Sequence, residues 1–254
     1  MCNPVPRKTF CALFAVFLAG CGTGRYDERM QARLQTLKRE APFAALQAPA
    51  EIPGTSVKLA IPRLLPNFIT PDTADPTGLK GKISAERIKF IPFDAKGVFV
   101  GYEAELQRPE GGAKIPVACQ IAVLPKSDLN ILDAVKKKIP EQQLQEAQVQ
   151  VDPFQGDKKI DWSKVRIEAD TLFDIYPDDM NAPSEYKKLP SITEVWWHMG
   201  EHYLTILTWR VPSEIDEKVH LIEMAPLTAA TIVEGPPPAA PAEEAEKPAD
   251  APAA

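Results

Sequence analysis

The chain has 254 residues, 26 of them proline and three histidine, with 29 Lys+Arg against 35 Asp+Glu for a formal net charge of −6. The acidic balance argues against a nucleic-acid partner, whose phosphates require a basic surface. Three histidines leave little room for His-based metal or acid/base chemistry.

Arg7 and Lys8 make a short positive region, and an uncharged ten-residue run follows from Phe10 to Ala19. Spanning a bilayer takes about 20 residues, so this run has the length of the apolar segment of a signal peptide. It closes on Leu18-Ala19-Gly20-Cys21. Small residues ahead of a cysteine resemble the lipobox of bacterial lipoproteins. The resemblance implies that residues 1–20 are removed and that Cys21, acylated, begins the mature chain. One acyl chain holds a protein reversibly and two or more hold it firmly, at ~0.8 kcal/mol per buried CH2. The second mature residue is Gly22 and not aspartate, which by the enterobacterial sorting pattern favours the outer membrane over the inner one. The expected location is therefore the cell envelope, lipid-anchored and facing the periplasm. Loss of Arg7 and Lys8 takes the formal charge from −6 to −8. With Cys2 and Cys11 removed and Cys21 capped, only Cys119 remains, so no internal disulfide is expected.

Residues 21–40 read as a lipidated tether carrying a charged helix. Tyr26, Met30, Leu34 and Leu37 recur at i, i+4, i+8 and i+11 on one face. Such a helix either lies on a membrane or forms a stalk, and its narrow stripe and mixed charges favour the stalk. Residues 41–234 then form one domain of roughly 190 residues, enough for a single core. Thr55 to Ile61 is a short strand candidate. Val98 to Gln107 alternates, with Val98, Val100, Tyr102, Ala104 and Leu106 on one side and Glu103 and Glu105 on the other. Ile115, Val117, Cys119, Ile121 and Val123 make another apolar face, and Arg108 to Lys114, with its Gly-Gly, closes a hairpin between the two. A helix is expected from Asp128 to Ile139, capped by Ser127 or Asp128 and stopped by Pro140. Ala147 to Val151 is a short strand, and Lys164 to Ile175 alternates as a long one. Ile192 to Met199 and His202 to Val211 form a Trp-rich hairpin about Gly200. A terminal helix opens with Ser213 as N-cap. It presents Ile215, Val219, Ile222, Pro226, Ala229 and Val233 on one face and kinks at Pro226. Residues 235–254 hold six prolines and eight alanines, a composition that predicts a disordered tail.

Sequential hairpins with two helices predict an α+β domain, an antiparallel sheet of about six strands with helices packed on it. The order over 95–233 resembles the PsbP/Mog1-like fold. The resemblance rests on the helix before 147, the long strand from 164, the Trp-rich hairpin and the helix after TWRVPSE. The lipobox, charged helix, IPGT segment and hairpin ending WRVP also resemble a group of uncharacterised bacterial lipoproteins. Neither resemblance implies a reaction.

His198 and His202 would share a helix face, but here they flank a turn. A type II′ turn with Gly200 first pairs Met199 with His202 and puts the two imidazoles on opposite faces, so no metal site is expected. His220 reads as a surface or partly buried helix residue, and Cys119 as a small core residue. Asp72, Asp75, Asp94, Asp178 and Asp179 lack calcium-loop spacing. Glu103 and Glu105 read as a solvated sheet face. No catalytic motif is present, and no cofactor is implied. Adjacent strand residues face opposite ways. Trp197, with Val195 and Met199, is expected in the core. Trp196, with Glu194 and His198, is expected nearer solvent or a helix, which makes Trp196 and His198 the candidate interface. The function expected is a non-catalytic binding or assembly domain that meets an envelope protein or a ligand. The alternatives are a hydrolytic or other enzyme with an unrecognised site, and a structural spacer.

Overall fold

A computed structural model describes residues 23–69, 97–108, 111, 114–126, 132, 133, 136, 137, 139, 141, 144–169 and 189–237. The chain divides into two units, residues 1–44 and 45–254. The first unit contains helix α1 (Thr23–Glu40). Its last turn carries Lys38 and Arg39, which suit the negative end of the helix dipole. Tyr26, Met30, Leu34 and Leu37, which share one face, are all exposed. Among the described residues no helix is long and apolar enough to cross a membrane.

The second unit is α+β. Strands β1 (Ala50–Glu51), β2 (Val57–Leu59) and β10 (Val233–Glu234) form a small sheet in the order β1-β2-β10. The main sheet has seven strands: β3 (Asn67–Ile69), β4 (Val98–Gln107), β5 (Lys114–Pro125), β6 (Ala147–Val151), β7 (Ile160–Ala169), β8 (Ser191–Met199) and β9 (Tyr203–Pro212). Its order is β3-β4-β5-β9-β8-β7-β6, and every pairing is antiparallel. The count exceeds the expected six. β3 is only three residues long, too short for period two to register, and the strand expected at Thr55–Ile61 shrinks to β2 in the separate small sheet.

Both faces of the main sheet are buried. On one, Ala122, Leu124, Val165, Val195, Trp197 and Ile206 pack with Ile139, Leu132 and Leu144. Leu132, Asp133, Lys136 and Lys137 are helical, where a helix was expected. On the other face lie Val117, Cys119, Ile121, Leu207, Trp209, Trp196 and Trp162, all buried. The turn before β2 stands against this face: a β-carbon on Gly54 would lie 3.5 Å from Val98 Cγ2. The N–H of Ala60 donates to Thr231 Oγ1 at 2.8 Å, joining the segment after β2 to the C-terminal segment. The N–H of Phe154 donates to the Ala230 carbonyl at 2.8 Å, which brings the same segment to the end of β6.

Burial on two faces explains where strand boundaries differ from their sequence reading. β7 begins at Ile160, four residues before the expected start. Trp162 is buried on one face, while Val165 and Ile167 are buried on the other. The apolar phase therefore flips within the strand and hides its first half. The end of that strand, 170–175, lies outside the described residues, as do Ser127, Asp128 and Pro140.

The hairpin register also differs. Met199 pairs with Leu204 and His198 with Thr205. The Gly200 N–H donates to the Tyr203 carbonyl at 2.8 Å, so Glu201 and His202 are the central residues of the turn. A type II′ turn needs positive φ at its first central residue, and Gly200 is not among the positive-φ glycines. What selects glycine here is space. The Glu234 carboxylate accepts the backbone N–H groups of Glu201 (3.1 Å), His202 and Tyr203 (3.2 Å). A β-carbon at Gly200 would overlap that carboxylate.

The single kinked helix expected after Pro212 is instead three pieces. Helix α2 (Ser213–Val219) has Pro212, not Ser213, at its N-cap, with no side-chain cap bond. It ends at His220, which takes the left-handed conformation with φ 52°. A 3-10 turn (Ile222–Met224) leads into α3 (Ala225–Ala229). Pro226 sits in the first turn of α3, where its missing N–H costs nothing, and so starts a helix where a kink was expected. Asp216 stabilises the break by accepting the His220 N–H on its carbonyl and the Ile222 N–H on its carboxylate. Val233, expected on the buried helix face, is exposed in β10.

Candidate functional site

The opposite-face argument for the two adjacent tryptophans holds: Trp196 pairs with Lys164 and Trp197 with Ser163. Of the two places expected for Trp196, nearer solvent or nearer a helix, the first does not hold. Trp196 is 1% exposed and Trp197 4%. The reason is a buried carboxylate that sequence pattern could not place. Glu194 is 2% exposed, and its Oε2 accepts the Trp196 indole N–H at 2.8 Å. Its Oε1 meets Lys164 Nζ at 3.4 Å and Arg166 Nη1 at 3.7 Å. A charge out of water must be paired and hydrogen-bonded, and Trp196 is one of the groups that does this. The Lys164 ammonium lies 5.0 Å over the Trp196 ring, and Trp162 stands edge-on to it with centroids 6.3 Å apart.

His198, the other candidate interface residue, is half-buried. Its Nδ1 lies 2.7 Å from the Asp161 carbonyl oxygen, and its ring is 5.2 Å from Trp162. It lines a cleft of about 590 Å3 at the β7–β8 end of the sheet, whose other walls come from Leu132, Gln148, Ile160, Trp197 and Ile232. Lys136 also lines the cleft, bonding Glu146 at 2.7 Å and lying 5.2 Å over the Trp197 ring. Gln148 donates to Glu146 at 3.2 Å and to Ser163 at 2.8 Å. The Trp162 indole N–H, buried at the cleft wall, has no acceptor among the described residues. The cleft thus combines an aromatic and aliphatic wall with a charged rim, surroundings suited to holding a ligand by contact and hydrogen bonds.

β6 borders this cleft and is an edge strand. Ala147, Gln148 and Gln150 are exposed, Val149 is half-buried, and only Val151 is buried. Among the described residues no backbone group pairs with its outer edge. Its sequence AQVQV contains no lysine or proline, the residues that usually blunt such edges. Sequence reading placed this strand correctly and gave it no role. The signal available was its polar, uncharged alternation.

His202 sits in the turn and bonds the Glu234 carboxylate through its backbone, apart from His198. Among the described residues no three His, Cys, Asp or Glu side chains gather as metal ligands. Cys119 is fully buried, as its register implied, and burial pushes its thiol well above the ordinary range. Tyr102, opposite it on β4, is raised by burial and by the neighbouring Cys119. A thiol held neutral in this way does not supply a thiolate nucleophile. Glu103 is half-buried and Glu105 exposed. His220 is exposed and pairs with Glu223 at 3.3 Å. Cys21, Asp72, Asp75, Asp94, Asp178 and Asp179 lie outside the described residues. Comparison with models of protein families, with curated proteins and with solved structures gives no match.

Proposed function

We propose that the chain is a lipid-anchored protein of the cell envelope, tethered through Cys21 and facing the periplasm from the outer membrane. Its α+β domain, of PsbP/Mog1-like type, is a non-catalytic binding or assembly module, and its partner is an envelope protein, not a nucleic acid. The observation that carries the binding half is the edge of β6, unpaired among the described residues, running beside the 590 Å3 cleft. An extended segment of a partner can add to such an edge by main-chain hydrogen bonds while a side chain enters the neighbouring pocket. The buried Trp162 N–H at the cleft wall is a donor that a ligand group could satisfy. The anchoring half is supported by Leu18-Ala19-Gly20-Cys21. The fold-family half is supported by the antiparallel sheet with helical segments around it.

A photo-crosslinking residue placed at Val149, in intact cells, tests the binding half. A discrete adduct is expected there and none at Lys58 on the small sheet. Identical patterns at both positions, or no adduct at either, would overturn it. Cys21→Ser tests the anchor: the variant should lose incorporation of a fatty-acid analogue and leave the membrane fraction. Equal label in both proteins would overturn the lipobox reading.

A further inference from the structure

We infer that α1 is a membrane-surface helix, and that the partner of its exposed apolar stripe is an anionic lipid surface. Tyr26, Met30, Leu34 and Leu37 are exposed by 61%, 41%, 51% and 52%. They are four of the seven large apolar side chains exposed among the described residues, and they lie on one helix face. A stalk standing in water would leave all four solvated. Laid on a bilayer, the same face enters the boundary between headgroups and acyl chains.

Charge selects the lipid. At roughly 100° per residue, Arg29 and Arg33 flank the stripe on one side and Lys38 on the other, with Asp27 and Glu40 beside them, while Glu28, Gln35 and Arg39 lie opposite. Long basic side chains at the flanks can keep their stems in the apolar layer and their charges among phosphates. Thr23–Glu40 holds five cations and three acids, a net +2. Taking this and the +2 of Arg7 and Lys8 from the chain's −6 leaves residues 41–254 at −10. The helix is therefore attracted to an anionic surface that repels the rest of the chain.

Position agrees. The helix starts at Thr23, two residues after Cys21, so acylation there would place its first turn at the headgroups. This last point rests on the lipobox reading, and the test is arranged so that the two can fail separately.

The test uses the mature chain with Cys21→Ser, which carries no acyl group, mixed with vesicles of phosphatidylglycerol and phosphatidylethanolamine, or of phosphatidylcholine alone. Co-sedimentation with the anionic vesicles is expected, weakening as salt rises, with little binding to phosphatidylcholine. Leu34→Ser/Leu37→Ser should lower the partition coefficient at least about tenfold. Arg29→Gln/Arg33→Gln should lower it and flatten its salt dependence. No binding to either vesicle would make the helix a stalk and overturn the inference. A dimer in sedimentation equilibrium that is lost in Leu34→Ser/Leu37→Ser would overturn it in favour of a second copy of the chain. If Cys21 takes no lipid in cells but the unlipidated chain binds anionic vesicles, the anchor reading fails and this one stands.

Discussion

Trp196 and Trp197 are adjacent, equally large and nearly equally buried, yet they sit in opposite chemistries. Trp197 joins an aliphatic cluster with Val195, Leu204, Ile206 and Ile139. Trp196 joins a polar cluster around Glu194, with Lys164, Arg166 and Trp162. The immediate neighbours of Trp197 are aliphatic, while those of Trp196 include a buried carboxylate that its own indole N–H helps to satisfy. Burial alone therefore does not rank the two residues; the groups each leaves behind when removed do.

That difference fixes the order of their truncations. Trp197→Ala should cost ~3–5 kcal/mol, the usual penalty for losing a buried large aromatic. Trp196→Ala should cost the same and a further ~1–2 kcal/mol, because it takes the indole donor from Oε2 of the buried Glu194 carboxylate. Denaturant melts of the two variants measure both. The sequence pattern alone ranks them the other way, since it places Trp196 nearer solvent or a helix. A smaller loss for Trp196→Ala would mean that Glu194 draws little from the indole.

Gly200→Ala probes the turn beside the cleft. The added methyl meets the Glu234 carboxylate, so a loss of about 2–3 kcal/mol is expected, in the range of overpacking. In Gly200→Ala/Glu234→Ala the collision is gone, and the double variant should lose less than the sum of the singles. Strict additivity in thermal melts would show that the carboxylate is not what selects glycine.

Glu194→Gln isolates the charge in the cluster around Trp196. It keeps an oxygen for the Trp196 N–H and removes the pairs with Lys164 and Arg166. Both cations are partly exposed, with side chains 31% and 45% accessible, and can turn to water. The loss should be about 1–2 kcal/mol, less than the stranding of a fully buried charge. A neutral result would make the cluster a matter of the Trp196 hydrogen bond alone.

The same contrast explains what could be read in the sequence. β4, β5 and the β8–β9 hairpin were legible because their apolar residues are long runs or clean alternations between strong turn signals. β9 (YLTILTWRVP) is buried at every position, so its strand was visible but its two faces were not. Ile160 and Trp162 hid the start of β7 by carrying the opposite phase to Val165 and Ile167. The turn at Gly200 departs from its local pattern because Glu234, more than thirty residues later, binds it, and no local rule sees that contact. Pro226 reads as a kink in sequence because the left-handed His220, which ends α2 first, carries no sequence signal of its own. Of the residues that line the cleft, the sequence pattern singles out His198. Trp162, Gln148 and the β6 edge were missed, because an aromatic at a phase break and a short polar strand both look unremarkable until the sheet order is known.

The smallest expected effect concerns where the folded chain stops. By composition the tail begins at Gly235, and removing 235–254 should then change nothing. Gly235, however, is bound twice to the small sheet: its N–H donates to the Ser56 carbonyl at 3.0 Å, and its carbonyl accepts from Ser56 Oγ at 2.7 Å. It also follows Glu234, whose carboxylate binds the hairpin turn. Truncation after Glu234 removes the two Ser56 bonds and places a terminal carboxylate beside that turn, so a loss of ~1 kcal/mol is expected. Truncation after Pro237 keeps both bonds and removes only 17 residues rich in proline and alanine, which lack the branched and aromatic side chains that bury area. Its melting temperature should match that of the full chain. A fall of several degrees for the cut after Pro237 would show that the acidic tail docks on the domain, and residue-level hydrogen exchange on the two proteins would locate the face it covers.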